Sequence, residues 1–204
     1  SASNLVPGDT NGVPDIFVHD RLTGTTERVS VATGGAQGNG YSAYSSTISA
    51  DGRYVAFQSF ASNLVPGDTN NVSDIFVHDR QTGMTSRVSV ATGGAQGNDL
   101  TYIDTSISAD GRYVAFSSYA SNLVPGDTNG QSDIFVHDCW GTGTPPPANS
   151  TPGSTPGIGT TFGIRNPYAG YTVARRAKGQ LHCHYYNDAP LLGGRGSWEP
   201  RRLI

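Results

Sequence analysis

Residues 48–57 read Ile-Ser-Ala-Asp-Gly-Arg-Tyr-Val-Ala-Phe, and the same ten residues return at 107–116. The offset of 59 governs the flanking sequence too. Ala-Ser-Asn-Leu-Val-Pro-Gly-Asp-Thr-Asn begins at Ala2, Ala61 and Ala120, and Asp-Ile-Phe-Val-His-Asp begins at Asp15, Asp74 and Asp133. Residues 2–60 and 61–119 align without gaps at 44 identical positions of 59. Internal self-similarity on this scale marks a repeat architecture, in which one supersecondary unit is used again.

Each unit reads as short strands between turns. Ser-Thr-Ile-Ser at 46–49 alternates, and the Ala-Asp-Gly-Arg that follows suits a tight turn because Asp and Gly accept its backbone angles. Tyr54-Val55-Ala56-Phe57 and Asp74-Ile75-Phe76-Val77-His78-Asp79 are rich in the β-branched and aromatic residues that fit a pleated surface. Arg80-Gln81-Thr82-Gly83 predicts a hairpin turn into 85–90, and the Gly- and Ala-rich segment 91–98 a loop to the next unit. A sustained 3.6-residue apolar period is absent, so the expected class is all-β. Four strands per 59-residue unit predict a partial β-propeller, because the strands of a sandwich are not related by a sequence period.

The turn and strand at 48–57, followed by Asp-Ile-Phe-Val-His-Asp, resemble the TolB-type, WD-repeat-like bacterial β-propeller family over residues 1–138. The resemblance implies a propeller fold, an extracytoplasmic setting (secreted or periplasmic), and contacts with a protein or carbohydrate ligand through blade loops. It does not select one activity: similar propellers serve as binding modules and as parts of hydrolases. A non-catalytic binding or scaffolding module is therefore the expectation, and an esterase or peptidase, or a propeller fragment of one, the alternative. In strand order the chain begins with the last two strands of a blade, continues with a full blade, and carries three strands of another. After Asp138 the Arg-x-Thr-Gly hairpin gives way to Cys139-Trp140-Gly141-Thr142, so no fourth strand is expected there. A repeat cannot bury its apolar faces alone, which leaves a piece of a longer propeller or a homo-oligomer that completes one.

Composition divides the chain into 1–140, 141–161 and 162–204. The first part carries 14 acidic and 6 basic residues, the last two parts together 2 and 7. Residues 141–161 are dominated by Pro, Gly, Ser and Thr and read as a linker. Residues 162–204, with clustered Arg and no period, read as a disordered or non-native basic tail. The net charge is −3, with a single Lys178, which gives no basis for nucleic-acid binding. No run approaches the roughly 18–20 apolar residues of a membrane-spanning helix. The opening SASNLVPGDT contains no secretory signal.

Several constellations bear on chemistry. Asp9, Asn11 and Asp15 recur as Asp68, Asn70 and Asp74 and as Asp127, Asn129 and Asp133. Oxygens at relative positions 1, 3 and 7 of a turn suit Ca²⁺, and Asp20, Asp79 and Asp138 fall at position 12 as in a calcium loop. The strand that begins after the turn would carry that last carboxylate away, however. The other reading is a turn whose Asn and Asp bond their own backbone. His19, His78 and His137 repeat within single strands and predict hydrogen-bonded histidines that do not converge. Gly40-Tyr41-Ser42-Ala43-Tyr44 comes nearest to a nucleophile elbow but lacks its second Gly. Arg53 and Arg112 are expected to bond neighbouring carboxylates or carbonyls. Cys139 and Cys183 fit either a disulfide or two thiols, and His182-Cys183-His184 is too small a donor set to define a zinc site.

Overall fold

The computed structural model describes residues 2–141, 160–164, 171–177 and 180–186. Every regular element among them is a strand, and none is a helix long and apolar enough to cross a membrane. The chain divides into two units, Ser1–Arg165 and Asn166–Ile204.

In the first unit, β1 (Phe17–His19) and β2 (Thr26–Arg28) form an antiparallel pair. The next repeat makes a four-stranded antiparallel meander of β3 (Ser42–Ile48), β4 (Tyr54–Ser59), β5 (Asp74–Asp79) and β6 (Met84–Arg87). The third makes β7 (Thr101–Ile107), β8 (Tyr113–Ser118) and β9 (Asp133–Asp138), followed by β10 (Thr160–Ile164) on the free edge of β9. The 59-residue period is thus a period of sheets.

Both central strands of the β3–β6 sheet are buried along their whole length, so the sheet is covered on both faces. The period-2 alternation of a strand divides its apolar residues between two clusters. Val55, Phe57 and Phe76 face Val29, Ala61 and Leu64. Tyr54, Ala56, Ile75 and Val77 face Val114, Phe116 and Phe135 of the next sheet. Phe57 stacks on Phe76 at 6.0 Å, and Phe116 on Phe135 at 5.8 Å, one cross-strand pair per repeat.

The first strands of the two sheets lie side by side: Thr105 N donates to Ser45 Oγ at 2.9 Å and Ala50 N to Ala109 O at 3.0 Å. Both strands carry a bulge, between Ser42 and Ser46 in β3 and between Thr101 and Thr105 in β7.

Beyond Asp138 the structure departs from expectation. Thr160–Ile164 pairs antiparallel with β9 where no fourth strand was expected, with Gly163 opposite Phe135 in the place that Arg87 holds opposite Phe76. The outer backbone groups of β9 need partners whatever the side chains are, and a strand from later in the chain supplies them. In the second unit, β11 (Tyr171–Ala177) pairs with β12 (Gln180–Tyr186), which places an antiparallel hairpin within the segment expected to be disordered. Tyr and Val in the first strand and paired Tyr in the second carry enough β propensity for this. The linker residues 142–159 lie outside the described residues.

Candidate functional site

The Asp-x-Asn turns are closed from within. Asn11 Oδ1 accepts the Val13 amide and Asn70 Oδ1 the Val72 amide, both at 3.3 Å, while each Nδ2 donates to the following carboxylate, Asp15 or Asp74. Between the two carboxylates of each turn sits an arginine from the end of the last strand. Arg28 Nη1 lies 3.0 Å from Asp9 Oδ1 and 3.5 Å from Asp15 Oδ2. Arg87 Nη1 lies 3.1 Å from Asp68 Oδ1 and 3.3 Å from Asp74 Oδ2. Ser30 and Ser89 donate their hydroxyls to the remaining oxygen of Asp15 and Asp74. Gln37 and Gln96 accept from the same arginines. Burial, and then the neighbouring Asp74 charge, push the Asp68 carboxyl above the usual range. Asp74 is raised by its burial against the opposing pull of Ser89 and Arg87.

This chemistry fits a resident guanidinium better than Ca²⁺ in the first two turns. A calcium ion takes six to eight oxygens, whereas here two carboxylates already share a cation. Among the described residues no group of three or more His, Cys, Asp or Glu side chains converges as metal ligands. The position-12 carboxylates lie elsewhere. Asp79 and Asp138 are gripped by Arg53 and Arg112, each through two hydrogen bonds of 2.7–3.0 Å. Asp20 Oδ1 accepts the Leu22 and Thr23 amides. In the third turn Asn129 bonds Asp133 and the Gln131 amide as its counterparts do, and among the described residues no arginine contacts Asp133.

Two of the repeated histidines bond within their own sheets. His19 Nδ1 meets Thr26 Oγ1 at 2.8 Å and His78 Nδ1 meets Thr85 Oγ1 at 2.9 Å. Burial lowers the pKa of His78, and that of His137 to about 4. The β3 serines have no histidine among these contacts: Ser42 Oγ pairs with Ser59 Oγ at 2.8 Å, and Ser45 Oγ receives the Thr105 amide. Cys139 is a free thiol packed against the core. His182, Cys183 and His184 stand opposite Arg175, Ala174 and Val173 on the hairpin.

A second feature was not anticipated from the sequence. Of the large apolar side chains that remain exposed among the described residues, Tyr44, Phe60, Leu100, Tyr102 and Tyr119 gather where β3 and β7 begin, while Leu5, Leu22 and Ile48 lie apart. The Phe60 amide donates to Tyr41 O and the Tyr119 amide to Leu100 O, so the end of β4 brings Phe60 to the start of β3, and the end of β8 brings Tyr119 to the start of β7. Tyr41 and Tyr44 pair at 5.3 Å between centroids, as do Tyr102 and Tyr119. Tyr44 is 72% exposed and has φ of 76°, a left-handed conformation uncommon for an aromatic residue, held within the β3 bulge. The signal in the sequence was a break in the repeat. Residues 40–47 differ from 99–106 at every position, although 44 of the 59 aligned positions are identical.

Comparison with models of known protein families, and with curated proteins, finds no match to this chain.

Proposed function

We propose that the chain is a non-catalytic binding module of β-propeller type. The β3–β6 and β7–β10 sheets act as neighbouring blades, and the exposed aromatic edge takes a neutral carbohydrate chain. The observation that carries the reading is the concentration of exposed aromatics where two otherwise near-identical repeats diverge. A scaffold held largely by identical residues, with the densest variation at 40–47 and 99–106, is what a ligand surface on a repeat needs. Tyrosine rings offer flat apolar faces with a hydroxyl at the tip, which suits the mixed apolar and hydroxylated surface of a sugar ring.

The propeller reading draws support from the side-by-side first strands, the meander order within each sheet and the burial of the β3–β6 sheet on both faces. An extracytoplasmic location belongs to the same proposal, since secreted glycans are the matching ligands. The test is retention of the full chain on a panel of immobilised polysaccharides, neutral and charged, beside denatured protein. Saturable retention on a neutral polysaccharide is expected. Retention on none of them, or on protein alone, would reject the carbohydrate ligand.

A further inference from the structure

The hexapeptide Asp-Ile-Phe-Val-His-Asp occurs three times and folds in two ways. At 74–79 and 133–138 it forms the six-residue strands β5 and β9, each paired on one side with the Tyr-Val-Ala-Phe strand β4 or β8. At 15–20 only Phe17–His19 is strand, and among the described residues β1 has β2 as its single strand neighbour. Phe76 and Phe135 are fully buried while Phe17 is half-buried, and His19 is exposed where His78 and His137 are buried. Identical residues differ in order and burial because one strand neighbour is missing. Ile16 O accepts the Val29 amide and the Asp20 amide donates to Thr25 O, so alternate residues of this segment bond β2. Phe17 and His19 therefore turn their backbone N–H and C=O groups to the open side.

In the sister sheets an arginine completes that side. Arg53 O accepts the Arg80 amide at 2.9 Å and Arg112 O the Cys139 amide at 2.8 Å. The two guanidinium groups hold Asp79 and Asp138, and Phe57 and Phe116 stand opposite Phe76 and Phe135. In the first copy Asp20 keeps the Leu22 and Thr23 amides, which hold its carboxyl below the ordinary range, and among the described residues it has no ion pair. We infer that the open edge of β1 is a docking site for one added β-strand, supplied by a partner polypeptide that carries the pattern Arg-Tyr-Val-Ala-Phe. The pairing already exists twice in this chain. On that pattern the partner's arginine grips Asp20, its carbonyl accepts the Arg21 amide, and its phenylalanine stacks on Phe17. Main-chain bonds to an open edge give such additions their affinity, and alternate side chains their specificity. A second copy of the chain is a poorer donor, because β4 and β8 each lie between two strands of their own sheets.

The test is an NMR titration of the full chain with a synthetic copy of residues 42–60, which carries β3 and β4. The expected result is one peptide per chain, shifts at residues 15–21, and slowed amide exchange at Phe17 and His19. Arg53→Ala in the peptide, or Asp20→Asn in the chain, should weaken binding by roughly ten-fold or more. Asparagine keeps an acceptor for the Leu22 and Thr23 amides, so that variant retains the turn. Val55→Pro in the peptide removes a ladder donor and should abolish binding. No binding, equal affinity of the Arg53→Ala peptide, or shifts confined to other residues would overturn the inference. So would slow exchange at Phe17 and His19 before any peptide is added, which would show the edge already covered by this chain or by a second copy.

Discussion

Arg53 grips Asp79 through two hydrogen bonds, Nε to Oδ1 at 2.8 Å and Nη2 to Oδ2 at 2.7 Å, and so ties the Asp-Gly-Arg turn to the end of β5. Arg112 repeats the arrangement with Asp138. Although burial opposes it, the hydrogen bonding from Arg53 and the Gln81 amide leaves the Asp79 carboxyl below its ordinary range. Arg53→Ala leaves a mostly buried carboxylate unpaired and should cost about 3 kcal/mol. Arg53→Lys should recover only part of this, because an ammonium cannot make the two-point contact. Urea denaturation of the two variants checks the order. Equal stability of Lys and Arg at this position would contradict the geometry.

Gly111 packs against the ring of Tyr54, close enough that an added Cβ would collide with it, and its φ of 77° is in the left-handed region. Gly111→Ala should therefore destabilise the chain by roughly 1–3 kcal/mol through strain and overpacking together. In a double-mutant cycle with Tyr54→Ala, the cost of the alanine should fall, since the collision is removed and the backbone strain is left. Additive effects would show that the two repeats do not press together at this point.

His137 should make stability depend on pH. Burial lowers its pKa to about 4, against roughly 6.5 when unfolded. Between those values the unfolded chain binds more protons than the folded one. The stabilisation is complete above pH 6.5 and is lost as pH falls toward 4, amounting to about 3 kcal/mol at the limit. His78 is lowered in the same direction by its burial. The urea midpoint of wild type should fall across this window, and His137→Gln should fall less. Parallel curves would refute a buried neutral imidazole.

The Cys139 thiol is pushed up to about 12, chiefly by burial and secondarily by the Asp138 charge. Since the thiolate is the reactive form, alkylation by iodoacetamide at pH 8 should be slower by a hundred-fold or more in the folded chain than in urea. Peptide mapping reads the rate at this residue. Comparable rates would place the thiol outside the core.

What the sequence made legible follows from where the information lies. The strands at 54–59 and 74–79 announce themselves through β-branched and aromatic runs, and the repeat offset predicts that sheets recur. The arginine of each Asp-Gly-Arg turn was expected to meet a nearby carboxylate or carbonyl, and it meets Asp79 or Asp138. The partner of the Asp-x-Asn turn was not legible, since Arg87 stands 19 residues beyond Asp68 and reaches it only after β5 and β6 have paired. Nor was the aromatic edge, which depends on a bulge and a positive φ at Tyr44 that neighbouring residue types do not dictate. The fourth strand on β9 eluded sequence reading because edge pairing is backbone chemistry, largely indifferent to the side chains of Thr160–Ile164.

The proposed binding role of the exposed aromatics is tested most directly by the double variant Tyr44→Ala/Tyr102→Ala, titrated against whichever neutral polysaccharide retains the wild-type chain. Both side chains are exposed, so the unfolding midpoint should change little while affinity falls ten-fold or more, as for anchoring aromatics in other interfaces. Undiminished affinity in a folded double variant would contradict the account.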